Sequence, residues 1–101
     1  MNSKIRSKLI SIAMTTPTTV QIGKNGLTET VIDQINESLE DHELVKISVL
    51  RSADQSAKGM IAEVAEKTSS EPVQAIGNKI VLYRLSHKEG IKHIALDEAF
   101  N

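Results

Sequence analysis

The chain has 101 residues, 40% of them apolar, with one Phe, one Tyr, no Trp and no Cys. That length fits one domain, residues 1–101, with a core at about 3–84 and a C-terminal tail at 85–101. The missing cysteines exclude disulfides, thiol catalysis and cysteine-ligated metals. A net charge of −1 hides an asymmetry, because residues 1–26 carry Lys4, Arg6, Lys8 and Lys24 and no acid, giving +4 against −5 for residues 27–101.

Ile5, Leu9, Ile12 and Ala13 recur at helical spacing and predict a first helix over 3–14. Pro17 and its threonines break that pattern, and Thr19 to Ile22 read as a short β-branched strand. The turn Gly23-Lys24-Asn25-Gly26 follows. Thr28 is a good N-cap with Glu29 in the first helical turn, and Val31, Ile32, Ile35 and Leu39 form one apolar stripe on a helix ending near Asp41. Leu44 to Leu50 is the clearest strand: Val45, Ile47 and Val49 face one way, Leu44, Lys46, Ser48 and Leu50 the other. A third helix is expected from about Asp54 to Thr68, with Ala57, Ile61, Val64 and Ala65 inside. Pro72 to Ile76 and Lys79 to Arg84 read as strands of a hairpin turning at Gly77-Asn78. In the tail, Ile91 to Leu96 could add a strand or pack as an ordered segment. The order α-β-α-β-α-β-β predicts an α/β fold, a mixed sheet covered by helices.

The glycine-bracketed turn is the most informative feature. Two glycines allow close approach of the backbone to a ligand, and the first N–H groups of the following helix have no intrahelical partner, so a phosphate could be cradled there. It is not a Walker A loop, which has four residues between its glycines followed by Lys-Ser/Thr. It also lacks the third glycine of the dinucleotide fingerprint. A nucleic-acid backbone is the better candidate, since KH domains clamp nucleotides with a G-x-x-G loop. On the helix that follows, Glu29, Asp33, Glu37 and Glu40 share a stripe opposite the apolar face. Read as a solvated outer surface, it would repel a polyanion, confining contact to the helix tip and directing the strand toward the first helix.

The segment Val20-Gln21-Ile22-Gly23-Lys24-Asn25-Gly26-Leu27-Thr28-Glu29 resembles the signature of the CRM domain, the chloroplast RNA splicing and ribosome maturation family that includes bacterial stand-alone proteins of the YhbY type. Three further segments match in order and spacing: His42-Glu43-Leu44-Val45-Lys46-Ile47, Val73-Gln74-Ala75-Ile76-Gly77-Asn78 and Ile80-Val81-Leu82-Tyr83-Arg84. The resemblance implies an RNA-binding domain with a mixed four-stranded sheet, similar to the C-terminal domain of translation initiation factor 3. For bacterial members it implies association with large-subunit ribosomal precursors. The chain departs from the pattern at Met14-Thr15-Thr16-Pro17-Thr18-Thr19, uncharged where relatives usually have basic residues or histidine. Asp97 and Glu98 are also unexpected at an RNA interface.

The expected protein is therefore a non-catalytic, cytoplasmic, monomeric RNA-binding protein of ribosome biogenesis. Its partner would be ribosomal RNA of the large-subunit precursor, with no membrane, cofactor, metal or small-molecule substrate. The candidate RNA-binding residues are Gly23, Lys24, Asn25 and Gly26 in the turn, Thr28 at the helix start, and Lys4, Arg6 and Lys8 in the first helix. Lys46 on its strand's less apolar face and Arg84 at the end of the last strand complete the set, with Arg51 and Lys79 weaker candidates. Tyr83 reads as a packing residue, and His42, His87 and His93 as surface or tail residues without metal-ligand spacing. No carboxylate pair or Ser/His/Asp set assigns catalysis. The alternative is a protein-interaction module docking on basic proteins through the acidic helix face.

Overall fold

A computed structural model describes residues 2–94. The elements follow the expected order: helix α1 (Ser3–Met14), strand β1 (Val20–Ile22), helix α2 (Glu29–His42), strand β2 (Leu44–Val49), helix α3 (Ala57–Lys67), and strands β3 (Glu71–Ile76) and β4 (Lys79–Tyr83). The strands form one mixed sheet in the order β1-β2-β4-β3. β1 and β2 run parallel, with α2 as the crossover that a parallel pair requires, while β4 is antiparallel to both β2 and β3.

Three layers result. Val45, Ile47 and Val49 of β2 and Ile80 and Leu82 of β4 join Ile35, Leu39, Met60 and Val64 in a core between the sheet and α2/α3. On the other face Leu44, Val73, Val81 and Tyr83 pack against Ile5, Leu9 and Ala13 of α1. Leu9, Ile35 and Leu39 are fully buried, each contributing about 1.5–3 kcal/mol. The alternation in β2 therefore separates two cores, one on each side of the sheet.

Two expectations change at α3. It starts at Ala57 rather than Asp54, because Ser56 is the N-cap and accepts the Gly59 N–H at 3.1 Å, while Ala53 closes a turn onto the Leu50 carbonyl at 3.0 Å. Met60 is buried in the core, whereas Ile61 packs only at its margin. Gly77, at φ 57°, turns the β3–β4 hairpin at the expected place. Residues 91–94 form no strand, and Ile94 packs against the α1-side core. Leu96, Asp97 and Glu98 lie outside the described residues.

Candidate nucleic-acid interface

The turn after β1 is closed by a bond from the Gly26 N–H to the Gly23 carbonyl at 3.0 Å, with Gly26 at φ 67°. An L side chain at Gly26 would meet no atom within 4 Å, so the backbone conformation rather than space calls for glycine there. Gly23 is different: a Cβ would approach Ser52 Oγ at 3.3 Å, so this glycine lets the turn rest on the loop after β2. Thr28 caps α2 by accepting the Val31 N–H at 3.2 Å, and its own N–H goes to the Gly26 carbonyl at 3.1 Å.

The loop thus uses two donors internally, the N–H groups of Gly26 and Thr28. Among the described residues the N–H groups of Lys24, Asn25 and Leu27 have no partner. The Lys24 and Asn25 side chains are exposed. These groups stand at the positive end of the α2 dipole, as an anion would require.

The other predicted residues do not gather around this loop. The registers place Ile22, Val49 and Lys79 at one end of the sheet and Leu44, Tyr83 and Glu71 at the opposite end. Arg6 donates to the carbonyls of Pro72 at 3.3 Å and Val73 at 2.8 Å, early in β3. β1 and β3 are the two sheet edges, so the first turns of α1, with exposed Lys4 and Lys8, occupy the corner diagonal to the glycine turn. A single local grip by the loop and these lysines is excluded by this placement. The sequence could not show it, because an apolar helical stripe says that a helix packs but not over which strands.

Three predicted cations also hold the fold. Arg6 ties α1 to the β3 edge as described. Lys46 Nζ donates to the Ala13 carbonyl at 3.1 Å, satisfying the negative end of α1. Arg84 donates to Asn36 Oδ1 at 2.9 Å, to the Thr68 carbonyl and to Glu40 Oε2 at 3.1 Å, clamping α2, the end of α3 and β4 together. With only 18% of its side chain exposed, Arg84 is a poor RNA contact.

Glu40 correspondingly leaves the solvated stripe on which Glu29, Asp33 and Glu37 remain exposed. The His87 N–H, bonded to it at 3.1 Å, is the largest influence on its carboxyl; burial opposes it, and with Arg84 added the carboxyl is held below the usual range. Beside it lies a residue to which sequence reasoning gave no role. Glu43 is fully buried with φ 64°, and its carboxylate accepts the N–H groups of Ser86 at 2.6 Å and Ile94 at 2.9 Å. His93 Nδ1 lies 2.6 Å away, so His93 is anchored rather than a loose tail residue. Burial alone would raise the Glu43 pKa, but these three partners outweigh it and pull the carboxyl below its usual value. A signal was present in the sequence: Glu40, Asp41 and Glu43 crowd the negative end of α2, where acids are disfavoured unless donors compensate. Tyr83 is buried as expected, and burial followed by the nearby Glu43 charge pushes its phenol pKa up.

Among the described residues no group of three or more His, Asp or Glu is placed to hold a metal ion, and no helix is long and apolar enough to cross a membrane. Fold and site define a small three-layer α/β domain with a glycine-bracketed turn open at a helix N-terminus. The family model described as the CRS1 / YhbY (CRM) domain matches residues 1–84, and the chain belongs to that family.

A Bacillus subtilis relative named "Probable RNA-binding protein YqeI" is 41% identical over 65% of this chain and 69% of its own length. A Haemophilus influenzae relative named "RNA-binding protein" is 37% identical over 72% and 74% of the two chains. The solution structure of the hypothetical protein SAV1595 from Staphylococcus aureus, whose description also carries RNA binding, superposes with a TM-score of 0.74 at 37% identity. That superposition covers 92% of this chain and 98% of the other.

Proposed function

We propose that this protein binds RNA without catalysis, and that the RNA is ribosomal RNA of the large-subunit precursor. The observation that carries RNA binding is the outward-facing Lys24-Asn25 tip, with unpartnered N–H groups at the positive end of α2. Relatives named for RNA binding support the same reading. The finer assignment to a ribosomal precursor rests on membership in the CRM family and what the resemblance implies for bacterial members.

Mechanistically, the N–H groups of Lys24 and Asn25 receive a phosphate oxygen, the Lys24 ammonium neutralises it, and the Asn25 amide bonds phosphate or sugar. Lys4 and Lys8 form a second contact at the diagonal corner, reached only by an RNA long enough to cross the domain. Arg6 and Arg84 keep their internal bonds. With few aromatic residues, binding rests on phosphate charge and RNA shape rather than base stacking at the loop.

Equilibrium binding to structured ribosomal RNA tests this. With roughly four to six phosphate contacts, affinity falls by about one to three decades between roughly 50 and 200 mM salt. Lys24→Glu weakens binding with the thermal midpoint unchanged. A flat salt curve, or unaltered affinity in Lys24→Glu, overturns the reading. The exposed carboxylates Asp33 and Glu37 favour one rival, docking on a basic protein. That rival wins if Asp33→Lys with Glu37→Lys abolishes association with ribosomal particles while Lys24→Glu does not.

A further inference from the structure

α1 covers only part of its face of the sheet. Next to its C-terminal half runs an open groove of about 280 Å³. Its apolar floor and walls include Val81, Met14 and Ile76; Lys46 and Lys79 stand in its lining, together with the Gln74 amide. Met14 is 77% exposed and Ile76 60%, the two most exposed large apolar side chains of the described residues. Large apolar groups facing water beside one another mark binding surfaces more often than chance. Here they also limit the occupant, because every charged group in the lining is basic and no carboxylate is present.

Strand register connects this groove to β1, the strand that leads into the glycine turn. Gln21 pairs with Ser48, Ser48 with Lys79, and Lys79 with Ile76, so one lateral row crosses the whole sheet on the α1 face. It begins on β1, two residues before Gly23, and ends at the groove, about 14 Å away at the usual strand spacing. The row is polar throughout its first part: Gln21 is exposed, and Ser48 accepts from Lys79 Nζ and Asn78 Nδ2, each at 3.2 Å. Each ammonium donates one bond within the protein, Lys79 to Ser48 and Lys46 to Ala13, which leaves donors for a second acceptor.

We infer that this groove receives an unpaired nucleobase of the RNA held at the glycine turn, with Met14 and Ile76 against the base faces and Lys46 and Lys79 on the flanking phosphates. The Gln74 amide offers both a donor and an acceptor to the base edge. The inference rests on the proposed RNA binding and extends it from backbone gripping to unpaired RNA. Phosphates alone need no apolar walls, and an RNA duplex has no free base to insert.

The test measures binding of a short single-stranded oligoribonucleotide of mixed sequence, and of the same chain with abasic riboses throughout. Ile76→Ser and Met14→Ser each weaken binding of the base-bearing chain by about three- to tenfold, below the full effect of an aromatic platform. They leave the abasic chain and the salt slope unaltered, whereas Lys79→Ala lowers the slope by about one contact. Both side chains are mostly exposed, so thermal midpoints serve as the folding control, and Ile76→Val restores affinity. Equal losses on the two chains, or none on the base-bearing chain, overturn the inference. It falls alone if Lys24→Glu still weakens binding, and with the proposed function if the unmodified protein binds neither these chains nor structured ribosomal RNA. If the serine variants instead release only an acidic amphipathic peptide, the groove is a protein-docking surface and base insertion is overturned.

Discussion

The two ends of α2 are built on opposite terms. At its N-terminus the glycine turn uses part of its polarity internally, leaving the exposed Lys24 and Asn25 side chains and three N–H groups without a partner among the described residues. At its C-terminus Glu40, Asp41 and Glu43 would oppose the helix dipole, and each is matched: Glu40 by Arg84 and His87, Asp41 by Lys88 at 2.7 Å, Glu43 by Ser86, His93 and Ile94. The negative end therefore acts as an anchor, fastening residues 84–94 across the domain, while the positive end remains available to a ligand. Charge that the fold satisfies internally contributes stability; charge left open is what a polyanion can use.

Substitutions should separate the two ends, with stability lost at one and affinity at the other. The largest expected effect is at Glu43. Removing the carboxylate by Glu43→Ala strands three buried or half-buried donors and costs about 3–5 kcal/mol, a large part of the stability of a domain this size. Glu43→Gln keeps an acceptor and costs less. Chemical denaturation measures both, and at a temperature where Glu43→Gln remains folded its RNA affinity equals that of the parent. A matching loss of affinity would join the two ends in function.

Acid tests the same anchor without mutation. The folded Glu43 and Glu40 carboxyls titrate below their ordinary values. Their stabilisation is therefore complete above the unfolded carboxylate range and is lost as pH falls through the folded values. The urea midpoint should fall from roughly pH 5 downward, and Glu43→Gln should flatten that decline. An unchanged slope in Glu43→Gln would remove Glu43 as a source of acid sensitivity.

Arg84→Ala is next, at about 2–3 kcal/mol, because it leaves the Thr68 carbonyl, Asn36 and Glu40 without their shared donor. Unfolding again gives the magnitude, and RNA titration separates the two roles considered for this residue. A variant of lowered stability and parental affinity confirms the clamp; lost affinity in a well-folded variant would return Arg84 to the interface.

That choice between roles shows what the sequence could carry. Element order and both faces of β2 were legible because periods of two and 3.6 are local properties of the chain. The glycine turn was legible for the same reason, lying between a β-branched run and a capped helix. Partners distant in sequence were not. A cation at a strand end reads alike whether it meets solvent or, like Arg84, a helix 48 residues away. The position of α1 over β2, β3 and β4, which separates Lys4 and Lys8 from the turn, depends on packing between elements. Glu43 was half legible: its place at a helix C-terminus asked for donors, but nothing local named Ser86, His93 and Ile94.

The smallest stability effect is expected at the turn itself, and it discriminates most finely. Gly26→Ala places a side chain at φ 67° with open space around it, so the cost is conformational, about 1 kcal/mol, or roughly 4–8 °C in Tm. Gly26→Asn recovers much of this, since asparagine tolerates the left-handed region. Gly23→Ala instead presses on the exposed Ser52 hydroxyl, which can rotate away, and should cost less. If the open N–H groups of Lys24 and Asn25 bind phosphate, Gly26→Ala lowers RNA affinity more than Gly23→Ala does, and Gly26→Asn restores it along with Tm. Affinity that follows Lys24 charge yet ignores all three glycine variants would leave the lysine as the contact and remove the backbone amides from the mechanism.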